Sequence, residues 1–368
     1  MAAKRAAGIP LLDLTGANPT QVLPDYPHAE IAKAYGAIPE FTYRPDPFGH
    51  PPARAVIASY YSRWGISVSP DRVALTASTS EAYSLLFKLL CNPGDEVLVP
   101  APSYPLFEHL AKLECVAAVP YKLAYDGAWF IDFDDLRRKI SPATRALVIV
   151  NPNNPTGSYL KSSEATRLIA LATEAKFPIV SDEVFAEYQL STFPGLVKTL
   201  SAFDAVLSFS LNGLSKSAGM PQMKVGWMVL NGPPREVEDV RQRLAFILDT
   251  YLSVNTPVQY ALPRLLDIGS GIRNELNTNI RSNFAAAHGI LNGSPAHCLH
   301  TEGGWSLIIR LPRILPEDAW MSKLLDEAGV LAQPGYFFDM PSEAYVVVSL
   351  ITPPDIFHEG ITRLRRLL

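Results

Sequence analysis

Short apolar runs rich in β-branched residues alternate along this chain with longer stretches in which apolar residues recur every three or four positions. The first kind reads as buried strands at Arg72–Thr76, Glu96–Pro100, Val116–Leu123, Ala146–Val150, Pro178–Ser181, Ala205–Ser210 and Val225–Leu230. A strand covered on both faces has no polar side to show, so its pattern is continuous rather than alternating. The second kind predicts helices at Glu81–Leu90, Pro105–Leu113, Ser163–Lys176 and Glu236–Leu248. Strand and helix in turn predict an α/β domain, with a mostly parallel seven-stranded sheet sandwiched by helices.

After about residue 260 the pattern changes. Leu262–Leu291 is helical in period, Gly304–Leu311 and Tyr345–Leu350 read as strands, and Ile356–Leu368 as a closing helix. The first 45 residues or so are loop-rich. The expected division is a large domain over residues 46–260 and a smaller α+β domain built from both chain ends, 1–45 and 261–368. No internal repeat or low-complexity tract interrupts this plan.

Composition narrows the class. With 368 residues, 48% hydrophobic and 18% charged, the chain can build a packed core, which excludes disorder. Its 32 basic and 36 acidic residues give a net charge of −4, so it is no polyelectrolyte for nucleic acid or acidic membranes. Three scattered cysteines (Cys91, Cys115, Cys298) make no disulfide framework and favour a reducing compartment. The basic start at Met1 leads into a short apolar stretch broken by Pro10, which argues against a secretory signal. No apolar run approaches the ~20 residues of a membrane span. The expectation is a soluble cytoplasmic protein.

In open α/β sheets ligands bind beyond the carboxyl ends of the strands, and the chemistry-bearing residues here follow strands. Ala146–Val150 runs into Asn151-Pro-Asn-Asn-Pro-Thr-Gly157, and Ile179-Val-Ser181 into Asp182-Glu-Val-Phe185. Ala205–Ser210 is followed by Leu211-Asn-Gly-Leu-Ser-Lys216, then Ser217-Ala-Gly-Met-Pro-Gln-Met-Lys224-Val-Gly-Trp227. Singly each is weak, because an Asp after a strand is usually a cap or turn residue. Tyr104 alone would be an ordinary core aromatic, and Ser78–Ser80 a plain helix cap. Together, in this order, they resemble the class I/II aminotransferases, fold-type I enzymes that use pyridoxal 5′-phosphate. The resemblance runs from Leu14-Thr-Gly-Ala-Asn-Pro19 to the closing helix.

The resemblance implies a role for each residue. Lys216 would hold the cofactor as an imine and move the substrate proton, and Asp182 would keep the ring nitrogen protonated. Asn154 would donate to the phenolate oxygen and Tyr104 would stack on the ring. Ser78, Thr79 and Ser80 open a helix and so form an anion site, which Ser215 and Lys224 would complete around the phosphate. Tyr43 or Arg44 would reach the phosphate of a partner subunit, which implies a homodimer. Gly16 and Asn18 match a loop that closes over substrate. The implied activity is transamination between an amino acid and a 2-oxo acid.

The chain also departs from the family pattern. Phe185 stands where relatives carry a Tyr that reaches the phenolate, so the imine's pKa is expected to rise by about one unit. Lys224 replaces an Arg and is a point charge rather than a fork. Gly213 stands where a phosphate-binding Ser is common. Val347 occupies the place of an Arg that binds the substrate carboxylate, which leaves Arg44 or Arg310 as candidates. Thr250–Asn255 carries no cation, which disfavours a dedicated aspartate enzyme. A decarboxylase or β-lyase on the same scaffold is the alternative, since the bond cleaved depends on how substrate is oriented. An aminotransferase-like regulator is a more remote one, because no basic DNA-reading segment precedes the domain. His297-Cys-Leu-His300 lacks further ligands nearby for a metal, and Gly269-Ser-Gly271 lacks the context of a dinucleotide loop. The 32 prolines concentrate around these motifs: Pro100, Pro102 and Pro105 near Tyr104, Pro152 and Pro155 around Asn154, and Pro221 before Lys224. Fixed φ would stiffen the presenting loops there.

Overall fold

The computed structural model describes residues 10–40 and 42–368. The amino-terminal residues that bear on a secretory signal lie, up to Ile9, outside that range. All seven predicted strands are present, within three residues of their expected ends, as β1 (Val73–Thr76), β2 (Glu96–Ala101), β3 (Ala117–Tyr125), β5 (Thr144–Val150), β6 (Ile179–Asp182), β7 (Ser208–Gly213) and β8 (Gly226–Asn231). An eighth, β4 (Trp129–Ile131), folds back antiparallel on β3 as an edge strand. Three residues are too few to show a periodicity, so the sequence pattern passed over it.

The strand order is β1-β8-β7-β6-β5-β2-β3-β4. Strands β7, β6, β5, β2 and β3 are parallel, while β8 runs antiparallel to both β7 and β1. One face is covered by helices Thr79–Leu90 and Pro234–Tyr251, the other by Phe133–Lys139 and Ser162–Ala175. Burial on both faces explains the continuous apolar runs: Ala146, Leu147 and Val148 are all fully buried. Pro100 lies inside β2, which runs one residue past its expected end, to Ala101.

A second, antiparallel sheet contains β9 (His297–Cys298), β10 (Ser306–Arg310), β11 (Gln333–Pro334) and β12 (Tyr345–Ser349), in the order β9-β10-β12-β11. The chain's beginning joins it: Leu12–Asp13 pairs parallel with Val330–Leu331, and the Ser349 N–H donates to the Leu14 carbonyl at 2.7 Å. Leu14 packs on Gly360 so closely that a Cβ there would come within 2.8 Å of its side chain. The 36-residue helix Thr256–Leu291 runs beside this lobe, carrying Pro263 in its interior and a stripe from Val258 to Leu291 into the core. Among the described residues of the loop-rich first 45 there are two helices, Pro19–Val22 and His28–Gly36, the latter packed on that long helix.

Candidate active site

In register, Val150, Asp182 and Leu211 are neighbours across β5, β6 and β7, so the segments following them emerge at one edge of the sheet. A cavity of about 410 Å³ opens there. Its walls include Ser78, Thr79, Ser80, Tyr104, Asn154, Asp182, Ser215, Lys216 and Lys224, every cofactor candidate from the sequence except Tyr43.

Each is held by local structure. Ser78 caps its helix by accepting the Glu81 N–H, and the Glu81 carboxylate accepts the Ala77 N–H in return. The Thr79 and Ser80 N–H groups are left to point toward an anion. The start of this helix approaches β8 so closely that a Cβ on Gly226 would lie 2.9 Å from the Ser78 carbonyl carbon. The cross-strand partner of Gly226 is Gly213, where a Cβ would meet the Val225 carbonyl oxygen at 2.9 Å. This contact gives a physical reason for glycine at position 213: the strand pair has no room for a serine side chain.

The turn carrying Lys216 is clamped by three distant side chains. The Tyr188 hydroxyl donates to the Lys216 carbonyl (2.6 Å), Arg273 to that of Ser217 (2.8 Å) and the Tyr26 hydroxyl to that of Gly219 (2.9 Å). The Lys216 amine lies 4.9 Å from the centroid of the Trp305 ring. Burial lowers its pKa from the usual lysine value, opposed by the charge of Asp182. Burial pushes Asp182 up to about 6, against the Val184 N–H, the Tyr83 hydroxyl and the Lys216 charge, all of which favour its ionised form. Asn154 accepts the Ser306 hydroxyl on Oδ1 at 2.8 Å, which directs its amide N–H₂ elsewhere. Phe185, buried in the wall, packs edge-on to Trp305 and Tyr188.

The substrate candidates fare differently. Arg44 is exposed and ion-paired to Glu40, and with Tyr43 lines a separate cleft against Leu252 and Ser253. Arg310 is exposed at the end of β10, opposite His297 and Tyr345. Neither lines the lysine cavity. Gly16 and Asn18 flank Ala17, which does, but Asn18 spends its side chain capping Pro19–Val22. Val347 is buried in an apolar cluster with Ile308 and Phe338, on the sheet face it shares with the lining residues Ser306 and Ser349. The cavity's charged lining, among the described residues, is Asp182, Lys216 and Lys224.

Sequence reasoning missed Tyr83, Trp305 and Ser306. Tyr83 left a signal, because it lies one helical turn after Thr79 and so faces the same way. Trp305 and Ser306 enter through tertiary packing alone.

The family profile described as Aminotransferase class I and II matches residues 13–356. Glutamate-pyruvate aminotransferase AlaA of Haemophilus influenzae is 34% identical over 217 residues, 58% of this chain and 53% of that protein. Its Escherichia coli counterpart is 32% identical over 260 residues, 70% of this chain and 64% of that protein. The chain thus matches between half and two thirds of the length of these curated relatives. Among solved structures, an alanine aminotransferase from Pyrococcus furiosus superposes with a TM-score of 0.87 at 26% identity, covering 100% of this chain and 94% of that one. With the lysine, the carboxylate and the helix start meeting at one sheet edge, the profile match over nearly the whole length decides the family: this chain belongs to the class I and II aminotransferases.

Proposed function

We propose that the protein is a pyridoxal-phosphate-dependent transaminase that moves an amino group between an amino acid and a 2-oxo acid. The observation carrying this is the convergence of Lys216, Asp182, Asn154 and the Ser78–Ser80 helix start on one cavity. The donor set suits the cofactor: an amine of lowered pKa for the carbonyl, a carboxylate for the ring nitrogen, and free N–H groups with Lys224 for the phosphate. Bound there, pyridoxal phosphate supplies the electron sink that stabilises charge at the substrate's α-carbon.

The chain's own residues do the rest. Lys216 would anchor the group, and its poorly solvated amine is suited to take and return the proton at the substrate's α-carbon. Asp182 holds a positive charge at the ring nitrogen. Asn154, oriented by Ser306, would donate to the ring oxygen, and Ser215 would join Lys224 and the helix start in holding the phosphate. Tyr104, 48% exposed in the cavity lining, would cover the ring. Relatives named as aminotransferases favour transamination over the decarboxylase or β-lyase alternative.

The assembly is a homodimer in the cytoplasm, with its lobes divided at residues 46–260 against 1–45 and 261–368. Supporting the dimer, Tyr43 is 72% exposed beside a cleft of its own chain that is not the lysine cavity, and Phe246 is 79% exposed on the helix bordering that cleft. Among the described residues no helix is long and apolar enough to cross a membrane.

The test is a single-turnover reaction of the cofactor-loaded protein with a panel of amino acids, beginning with glutamate and alanine. Stoichiometric conversion to the pyridoxamine spectrum is expected, and a loss of at least about 10⁴-fold in Lys216→Ala. Release of CO₂ or an unsaturated product instead would refute transamination.

A further inference from the structure

Tyr83 stands one turn into the helix Thr79–Leu90, with its ring buried and edge-on to Phe107 at 5.3 Å between centroids. Its hydroxyl donates to Oδ2 of Asp182 at 3.2 Å, while the Val184 N–H donates to Oδ1 at 3.2 Å. Each carboxylate oxygen therefore has one donor from the protein. The charged groups that share the cavity with Asp182 are Lys216, from the turn after β7, whose charge acts on it, and Lys224, from the loop before β8. Burial raises the phenol's own pKa well above the usual tyrosine value, and the charge of Asp182 adds to it, so the hydroxyl stays protonated and can only donate to an ionised partner.

We propose that Tyr83 is a positioning residue that weakens the basicity of Asp182 and so keeps the shared proton on the cofactor's ring nitrogen. A donor bound to a carboxylate stabilises its ionised form. With the Tyr83 hydroxyl in place, Asp182 is the poorer base in the pair it forms with a heteroaromatic nitrogen, and the proton rests on the ring. Without it, Asp182 competes for that proton and the ring withdraws electrons less strongly. Tyr83 acts through Asp182 and touches no reacting atom. This inference rests on the proposed function for the ring nitrogen, but its first half, the control of Asp182, is independent of any cofactor.

The experiment has two stages that fail separately. In cofactor-free protein, NMR of the Asp182 carboxyl carbon follows its titration in the wild type and in Tyr83→Phe. The midpoint is expected to rise by about one pH unit, a tenfold gain in proton affinity. An unchanged or lower midpoint overturns the proposal. A fluorinated tyrosine at position 83, a stronger donor of nearly the same shape, should move the midpoint the opposite way. A purely structural role for the ring would not reverse sign in this manner, and the same shift in both variants overturns the proposal. If Tyr83→Phe does not fold, the fluorinated variant alone decides by whether the midpoint falls. In the loaded protein, the NMR shift of the labelled ring nitrogen should move toward the unprotonated value in Tyr83→Phe. A nitrogen signal identical to wild type overturns the ring half of the proposal. Failure of the wild type to take up pyridoxal phosphate at all, with the carboxyl shift intact, would overturn the aminotransferase reading and support the control of Asp182 by Tyr83.

Discussion

Asp182 and Glu183 are consecutive, both buried, and end up in opposite chemical settings. Successive side chains leaving a strand point to opposite faces, so Asp182 enters the lysine cavity while Glu183 turns away from it. Glu183 accepts the Leu200 N–H at 2.8 Å and the Ser210 hydroxyl at 3.1 Å on Oε1, with no cation paired to it among the described residues. Burial pushes Glu183 from 4.5 up to about 7 and Asp182 from 3.8 up to about 6, opposed at Asp182 by the Val184 N–H, then the Tyr83 hydroxyl, then the Lys216 charge. Burial therefore makes both carboxyl groups want their protons to a similar degree, and what separates them is their surroundings: Asp182 faces a cavity that holds an amine, Glu183 a shell of neutral donors. The same two residues side by side separate a carboxyl that ties a turn to the sheet from one placed for catalysis.

Breaking the cavity side should have the largest effect. Asp182→Asn removes the charge but keeps the shape, and should slow the half-reaction by about 10²–10³-fold in single-turnover kinetics while leaving the fold intact. Glu183→Gln should leave that rate within about twofold and change stability instead. With the folded value near 7 and the ordinary glutamate value 4.5, the folded state binds a proton that the unfolded state has lost between those pH values. Wild-type stability therefore falls as pH rises through that window, by roughly 3 kcal/mol from the size of the shift. Urea denaturation at pH 5 and pH 8 should show a distinctly larger fall in the wild type than in Glu183→Gln, where the smaller contribution of Asp182, raised to about 6, remains. A rate loss in Glu183→Gln as large as in Asp182→Asn would erase the distinction.

The finest test concerns the other end of the ring. Phe185 lines the cavity with an apolar edge, and on the proposed function a hydroxyl there would reach the ring oxygen. Phe185→Tyr should lower the pKa read from the loaded protein's absorption by about one unit, from one added donor to a charged acceptor. A titration that does not move would mean that the new hydroxyl turns elsewhere, toward Trp305 or Tyr188.

The cofactor-side residues were legible because each follows a strand whose apolar run is unambiguous. Asn154, Asp182 and Lys216 are tied to β5, β6 and β7, and parallel pairing of those strands carries all three to one edge. What was illegible came from short elements or long-range contacts. The three residues of β4 show no period, and Pro51–Ser62 begins with two prolines that read as a break although they serve as the first positions of a helix. Pro263 hid the first turns of Thr256–Leu291, whose buried stripe outweighs the one hydrogen bond lost.

The sequence by itself determined the order of the long central strands and helices, the family and the motif residues that line the cavity, because periodicity and motif spacing are local properties of the chain. Tertiary structure decided which cations share the cavity: Lys216 and Lys224 do, and Arg44 and Arg310 do not. It also decided that Gly213 has no room for a side chain, that Ser306 holds Asn154, and that Tyr83 answers Asp182. Those facts depend on distances between segments from 99 to 152 residues apart in the chain for the two hydrogen bonds, and no local pattern encodes them.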